Sequence, residues 1–207
     1  MERQEVRRRW ADRTGEFSPE YYAHYGADGT SEAIAELVES TVGTDASVLE
    51  VGCSSGRHLA HLHDRGFDDL AGVELNPDAV EVMHERFPAL ADDAAVHVAS
   101  IEDCVTGFAD DRFDAVFSVE TLQHLHPDAD WVYEEIARVA GDLVVTAENE
   151  GRRPWEDAPD AASVHVDDDV PLFYRDWSDV FTAVGLDQVA VGTGGRVTVR
   201  AFRSGSA

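Results

Sequence analysis

The sequence has no lysine, only two cysteines and no long apolar run. Because a membrane-spanning helix needs about 18 or more consecutive apolar residues, the chain offers no candidate for one. Cys53 and Cys104 are too few for a disulfide framework and lack the partner spacing of a zinc site. The N-terminus is charged with no apolar stretch behind it, which does not fit a secretory signal. These absences predict a cytoplasmic protein without a membrane partner.

Every basic residue is an arginine. The 16 arginines stand against 42 acidic residues, which gives a formal net charge of −26. Such a surface repels nucleic-acid phosphates and anionic lipids, so nucleic acid is not an expected partner. The acidic residues are spread along the whole chain and form no tail. This distribution favours adaptation to a high-salt cytoplasm, where salt screens self-repulsion, over a cationic partner. It predicts a halophilic, archaeal source.

The chain of 207 residues shows no internal repeat and no break in composition, which predicts one domain. Residues 1–43 are expected to form a helical cap. Residues 44–148 alternate apolar runs with helical stretches, the last of them predicted over Asp128 to Val139, as a cofactor-binding core would. Residues 149–207 are expected to form a substrate-side loop, a last helix and a closing hairpin.

Strands that alternate with helices predict a mostly parallel sheet covered on both faces. The last two apolar runs lie a few residues apart and predict an antiparallel hairpin. The fold is therefore expected to be α/β, a doubly wound, Rossmann-like, seven-stranded sheet. Its predicted strands are Ser47 to Val51, Leu70 to Glu74, Ala95 to Ala99, Phe113 to Val119, Leu143 to Ala147, Leu186 to Val191 and Arg196 to Phe202.

The loop after the first strand, Gly52-Cys53-Ser54-Ser55-Gly56, leads into a helix N-terminus. In a doubly wound sheet, ligands bind beyond the carboxyl ends of the strands at the switch point of strand order. Small residues allow a ligand to approach the backbone, and exposed amides can bind polar groups such as a carboxylate. Glu74 ends the second strand about 20 residues further on, where a carboxylate can accept hydrogen bonds from both ribose hydroxyls.

Three interpretations of this loop are disfavoured. A nicotinamide enzyme needs G-x-G-x-x-G, whereas the glycines here stand at the first and fifth positions. Gly52-x-Ser54-x-Gly56 matches the nucleophile elbow of a serine hydrolase, but the elbow normally follows several strands and an oxyanion loop. A turn that binds nothing leaves the position of Glu74 unexplained.

The segment from Val48 to Gly56 resembles the first motif of class I S-adenosylmethionine (SAM)-dependent methyltransferases, with Ser54 in place of the middle glycine. Gly72 to Asn76 resembles the second motif, and Phe113 to Val119 resembles the fourth. The resemblance spans about 47–148 and implies SAM as the cofactor. The cofactor-binding residues it implies are Glu50, Gly52, Cys53, Ser54, Gly56, Glu74 and Leu75, with Ser100, Ile101 and Glu102 around the adenine and Val119 at the methionine end.

Methyl transfer mainly requires two groups to be positioned and, in some cases, a proton to be removed, so no strong catalytic motif is expected. Glu120 to His124 resembles the Glu-x-x-Glu-His segment of ubiquinone-type O-methyltransferases and small-RNA 2′-O-methyltransferases, which binds a divalent metal. Gln123 replaces the second acid and is a poor ligand for a hard cation, so no metal is predicted. His124 and Glu120 are the candidate catalytic residues. Lining the cofactor, acting as general base and binding a metal remain open for His124.

Two further groups have weaker implications. His58, His61 and His63 lie on one helix, where exposed histidines are expected rather than a metal pair. Substrate choice is expected from the stretch between Glu148 and Trp177 and from the N-terminal segment, which together can roof the cleft. The N-terminal residues are Trp10, Arg13, Tyr21, Tyr22 and Tyr25, of which Trp10 and Tyr22 fit the core of the N-terminal helices equally well.

The sequence therefore predicts a SAM-dependent methyltransferase acting on an unidentified small-molecule acceptor. Two alternatives remain open. Ser54 and Gln123, both off-pattern, support a non-catalytic SAM-binding protein of the same fold. A methyltransferase acting on RNA or protein is disfavoured by the negative surface. Nothing in the sequence indicates the oligomeric state.

Overall fold

A computed structural model describes residues 1–150, 163–166, 170–194 and 196–205. Three helices open the chain: α1 (Arg3–Ala11), α2 (Pro19–Tyr25) and α3 (Gly29–Val42). The Ser18 hydroxyl accepts a hydrogen bond from the amide of Tyr21 at the start of α2. Asp28 and Ser31 form a capping box at the start of α3. These caps satisfy amides that have no partner inside the helix, which explains where the helices begin.

A seven-stranded sheet forms the centre of the molecule, in the order β3-β2-β1-β4-β5-β9-β8. β1 to β5 run parallel, and β9 pairs antiparallel with both β5 and β8. The predicted Rossmann-like sheet with its antiparallel hairpin is confirmed. Its strands are β1 (Val48–Val51), β2 (Leu70–Glu74), β3 (Ala95–Val98), β4 (Phe113–Val119), β5 (Ala140–Glu148), β8 (Leu186–Gly194) and β9 (Val197–Ser204).

The structure differs from the prediction at three places. β8 continues through Gly194, because Gly192 to Gly194 pair with β9 instead of forming a loop. Within the stretch expected to be an irregular loop, β6 (Ser163–Val166) and β7 (Val170–Phe173) form a small antiparallel sheet, while residues 151–162 and 167–169 lie outside the described part. The helix predicted from Asp128 begins only at Val132, after a short 3-10 turn over Pro127–Ala129.

Helices cover both faces of the sheet. They are α4 (Arg57–Asp64), α5 (Asp78–Arg86), α6 (Pro88–Asp93), α7 (Ile101–Cys104), α8 (Val132–Val139) and α9 (Trp177–Ala183). Val48 packs with α3 and α4 on one face, and its neighbour Leu49 packs with α8 and α9 on the other. Successive residues of a strand point to opposite faces, so the buried strands need apolar residues throughout. In the described ranges no helix is long and apolar enough to cross a bilayer.

Candidate active site

A cleft opens where the strand order reverses, at the carboxyl ends of β1 and β4, as expected for a doubly wound sheet. Its volume is about 1120 Å³, including the part open to solvent. The glycine loop after β1 and the end of β2 form its floor, the end of β4 and the following loop form one side, and α1 and α2 cover it. The predicted site residues that line it are Glu50, Gly52, Cys53, Ser54, Glu74, Leu75, Ser100, Ile101, Glu102, Val119, Glu120 and His124.

The glycine loop has the backbone that its motif requires. Gly52 has a φ of +76°, and a Cβ there would lie 2.3 Å from Thr121, so only glycine fits. Ser54 has a φ of +49°, in the left-handed region that favours glycine, so the off-pattern residue keeps the glycine-like conformation. Gly56 does not line the cleft: it caps α4 with a left-handed backbone and packs under Met83, where a Cβ would lie 2.6 Å from Cε.

The loop amides are largely engaged inside the protein. Those of Gly52 and Cys53 donate to the carbonyl of Val73 at 2.8 and 3.1 Å, and that of Gly56 donates to the carbonyl of Cys53. The amide of Ser54 donates to Glu74 at 2.7 Å. The expectation that exposed loop amides bind a carboxylate is therefore wrong for these four. Four of the five loop amides thus have partners inside the protein.

Glu74 ends β2 as predicted and faces the cleft. Its two carboxylate oxygens accept hydrogen bonds from the amides of Ser54 and Asn76, each at 2.7 Å. A carboxylate has about four lone-pair positions, so acceptor capacity remains for a ligand hydroxyl. Burial raises the pKa of Glu74, and hydrogen bonds from the backbone amides of Asn76, Ser54 and Leu75 oppose that rise.

Glu50 lies on the floor of the cleft and is 1 % exposed. Its Oε2 has no hydrogen-bond partner in the described part of the chain. Burial raises the pKa of Glu50 well above its ordinary value, while the positive charge of Arg57 opposes the rise. An unpartnered buried carboxylate oxygen is costly, and a bound ammonium group would relieve that cost.

The segment after β3 carries a contact that the motifs did not predict. Ser100 caps α7, and Glu102 lies buried at the edge of the cleft. The guanidinium of Arg7, on α1, binds Glu102 through Nη2 at 2.7 Å and Nε at 3.0 Å from Oε1. A two-nitrogen ion pair of this kind is geometrically specific. It ties the helix that covers the cleft to the segment expected to surround an adenine.

Glu120 and His124, the predicted catalytic pair, lie in the loop that follows β4. Glu120 has a left-handed backbone, with a φ of +48°, and accepts hydrogen bonds from Arg196 at 2.9 Å and Asn149 at 3.3 Å. The His124 ring packs against Trp10, with centroids 4.5 Å apart. Burial lowers the pKa of His124 to about 4, so the imidazole is neutral at pH 7.

No metal site accompanies this pair in the described part of the chain. Among the residues that the structure describes, no group of three or more His, Cys, Asp or Glu side chains could hold an ion. The Gln123 amide oxygen instead accepts hydrogen bonds from the backbone amide of Asn149 at 3.0 Å and from its side chain at 2.9 Å. The residue that replaces the family's second acid thus has a structural partner.

One expectation for the α4 histidines is wrong. His58 is buried, lines the cleft and lies with Nδ1 2.8 Å from the Ser31 hydroxyl. Four residues of α4 are buried, and they include His58 as well as Leu59, Ala60 and Leu62. His61 and His63 are partly exposed and pair with acidic side chains on α3 and α6.

The N-terminal helices roof the cleft. Trp10 and Tyr22 both line it, and the indole nitrogen of Trp10 is buried without a hydrogen-bond partner among the described residues. The Arg13 guanidinium lies over the rings of Trp10 and Phe17, 5.8 and 5.5 Å from their centroids. These side chains form an aromatic wall opposite the glycine loop.

Comparison with known proteins agrees with this geometry. Residues 48–142 match the family model described as a methyltransferase domain. The chain is similar to a dTDP-3-amino-3,4,6-trideoxy-alpha-D-glucopyranose N,N-dimethyltransferase of Streptomyces venezuelae, at 36% identity over 48% of this chain and 39% of that protein. It is also similar to a dTDP-3-amino-3,6-dideoxy-alpha-D-glucopyranose N,N-dimethyltransferase of Streptomyces fradiae, at 34% identity over 70% of this chain and 55% of that protein.

The chain thus spans about half or less of the length of these two curated relatives. Its fold matches that of the Burkholderia thailandensis 1,6-didemethyltoxoflavin-N1-methyltransferase, whose structure holds S-adenosylhomocysteine (SAH). The TM-score is 0.64 at 16% identity, over 85% of this chain and 78% of that one. Residues 48–142 therefore match a methyltransferase domain in sequence, and the chain shares the fold of a methyltransferase that binds SAH.

Proposed function

We propose that the whole chain is a SAM-dependent methyltransferase that acts on a small-molecule acceptor, and that the cleft holds the cofactor. The observation that carries this proposal is the presence of two carboxyl groups, the buried Glu50 and the partly buried Glu74, on one cleft floor. Glu74 has acceptor positions to spare, and Glu50 has an unpartnered oxygen. SAM presents hydroxyl donors on its ribose and an ammonium donor on its methionine part.

The remaining residues fit the same ligand. Ser100, Ile101 and Glu102 would surround the adenine, with Leu75 beside the ribose. Gly52, Cys53, Ser54 and Val119 would line the methionine end, where the missing side chain of Gly52 leaves room for Thr121. The carboxylate of the methionine part needs a cation, and Arg13 lines the cleft.

The chain's own contribution to the reaction is positioning. When bound, SAM supplies a methyl group attached to a positively charged sulfur. The sulfur is a good leaving group because it becomes a neutral thioether, so it needs no proton. The aromatic wall of Trp10, Phe17 and Tyr22 excludes water and holds the acceptor in line with the methyl group. The neutral His124 imidazole has a nitrogen able to accept the proton that an acceptor hydroxyl or ammonium loses, with Glu120 close by.

A groove joins the cleft on its acceptor side. Tyr21, Tyr25 and Arg196 line the groove, and Tyr22 and Glu120 line both cavities. We propose that the acceptor enters here. Two similar proteins are named as methyltransferases of dTDP-linked amino sugars, which makes amino sugars the first class to test. Tyrosine rings offer flat apolar surfaces to a sugar ring.

Titration with SAM and SAH in molar KCl tests the cofactor site. Both are expected to bind, and Glu74→Ala is expected to weaken both by about tenfold or more, because two hydrogen bonds to the ribose are lost. Glu81→Ala is the matched control, since Glu81 is an exposed acid on the neighbouring α5. Absence of binding by either ligand to the wild-type chain would contradict the proposal.

A screen with labelled methyl donor identifies the acceptor. The panel contains nucleotide-linked amino sugars, hydroxylated metabolites, total RNA and cell protein. Transfer to a small molecule supports the proposal, whereas transfer to RNA or protein only would replace it with the second alternative. Binding of SAM without transfer to any class would support a non-catalytic SAM-binding protein.

The setting of the protein is also a proposal. The net charge of −26, spread over the chain, supports a high-salt cytoplasm as its working environment. Its thermal midpoint should then rise with KCl up to molar concentration, because salt screens the self-repulsion of the acidic surface.

A further inference from the structure

Glu148, the last residue of β5, is fully buried beneath the loop that follows β4. Its Oε1 accepts hydrogen bonds from the hydroxyl of Ser118 at 2.6 Å and from the amides of Thr121 and Leu122, both at 3.1 Å. Its Oε2 accepts one from the amide of Gln123 at 3.3 Å. One carboxylate therefore satisfies four donors from a neighbouring strand and its loop.

These amides open the 3-10 turn of Leu122–His124 and have no partner within the turn. Glu148 provides the acceptor that the turn lacks. A second tie comes from Asn149, which donates to Gln123 and also to Glu120. The conformation of the whole loop is thus set from the end of β5.

The same loop closes one side of the cofactor cleft. Thr121 packs on Gly52 so closely that a Cβ on Gly52 would lie 2.3 Å from its Cγ2 and Oγ1. The Thr121 hydroxyl donates to the carbonyl of Val119 at 3.0 Å. Any shift of Thr121 would change the space over Gly52 and beside Val119, two of the residues assigned to the methionine end.

We propose that Glu148 is a positioning residue that holds the loop of residues 120–124 against the glycine loop and so sets the width of the methionine end of the cleft. The inference rests on the proposed function, because it assumes that SAM occupies this cleft. Glu148 does not line the cleft and would act only through Thr121 and its neighbours. Burial raises the pKa of Glu148 to about 7, and the four donors oppose that rise.

Two ligands separate this role from general destabilisation. SAH carries an amino-acid part, whereas 5′-deoxy-5′-methylthioadenosine has the adenosine part alone. Glu148→Ala should lower the affinity for SAH by about tenfold or more and change the affinity for methylthioadenosine by less than about twofold, as measured by calorimetry in molar KCl. Thr146→Val is the matched control, since Thr146 is a buried residue of the same strand whose hydroxyl has no hydrogen-bond partner among the described residues.

Milder variants keep the test valid if Glu148→Ala fails to fold. Glu148→Gln keeps the oxygen that serves three donors and loses the one that serves Gln123, and Ser118→Ala removes one donor. Each variant should lower the affinity for SAH by about two- to fivefold, again without changing the affinity for methylthioadenosine. Equal losses for the two ligands, or no loss for SAH, would overturn the inference. Failure of the wild-type chain to bind SAH would instead contradict the proposed function.

Discussion

The floor and the roof of the cleft are built in different ways. The floor consists of residues at the ends of β1 and β2, whose side chains and amides bond to near neighbours, as Ser54 does to Glu74. The roof depends on side chains far apart in the chain: Arg7 reaches Glu102, and Trp10 packs on His124. The sheet therefore fixes the floor, whereas a few long-range contacts hold the roof.

The energetic consequence follows from burial. In α1, Val6 is the buried residue, while both strands of the floor are buried almost throughout. An element with few buried apolar contacts opens at low free-energy cost. Changes in the floor should therefore abolish binding, whereas changes in the roof should weaken it. The predictions below test this difference.

The largest effect is expected for Gly52→Ala. The new Cβ would lie 2.3 Å from Thr121 in a backbone with a φ of +76°, so either Thr121 or the loop must move. We expect SAH affinity to fall by about a hundredfold or more, as measured by calorimetry. Gly66→Ala is the matched control: its φ is +90°, but nothing lies within 4 Å. If both variants bind SAH like wild type, the floor is not the rigid element described above.

The floor could be predicted from the sequence because its signals are local. Apolar runs of strand length, a small-residue loop and an acid at the end of the next strand gave both the fold and the position of Glu74. Ser54 shows that the backbone geometry survives a change of residue, since its φ of +49° lies in the left-handed region that the motif's glycine favours.

The roof could not be predicted because its contacts leave no local pattern. Arg7 lies in a run of three arginines, and nothing in the sequence singles it out as the partner of Glu102. Likewise, the motif marks Gln123 only as the replacement of a metal ligand, whereas its structural role depends on a hydrogen bond from Asn149, which follows β5. His58 was expected to be exposed because it is polar. It is buried because the inner face of α4 extends one position beyond the apolar residues of the helix.

The pH dependence of stability concerns two histidines that line the cleft, the buried His58 on α4 and the partly buried His124 after β4. Burial lowers the pKa of His58 to about 3 and that of His124 to about 4, below the ordinary 6.5. Because the unfolded chain binds protons that the folded chain does not, stability is complete above pH 6.5 and falls as the pH drops toward these values. Between pH 7 and 5 each histidine should cost about 2 kcal/mol of unfolding free energy.

Denaturant unfolding at both pH values measures this loss. His58→Gln and His124→Gln should each remove about half of the histidine contribution, and the double variant should remove both. A double variant whose stability changes with pH as much as that of the wild type would contradict the assignment of two neutral imidazoles. The difference between variants is the measure, because the raised pKa values of Glu50, Glu74 and Glu148 change the stability of every variant in the opposite direction.

A smaller effect is expected in the roof. Arg7→Ala removes the ion pair with Glu102 and leaves a buried carboxylate without its cation. SAH affinity should fall by about three- to tenfold, which corresponds to about 1 kcal/mol. Arg8→Ala, an exposed neighbour on the same helix, is the control and should have no effect. A hundredfold loss for Arg7→Ala would show that the roof is as rigid as the floor.

The smallest effect is expected where the floor departs from the family pattern. Ser54→Gly removes the strain of a left-handed serine, about 1 to 2 kcal/mol, but adds the chain entropy of a glycine, about 0.5 to 1 kcal/mol. The net gain in unfolding free energy should be at most about 1.5 kcal/mol, with SAH affinity unchanged, since the Ser54 amide keeps its bond to Glu74. Asp111→Gly, at a φ of +52° outside the cleft, is the matched control for the backbone effect. A loss of SAH affinity in Ser54→Gly alone would mean that the serine side chain, and not only its backbone, contributes to the cofactor site.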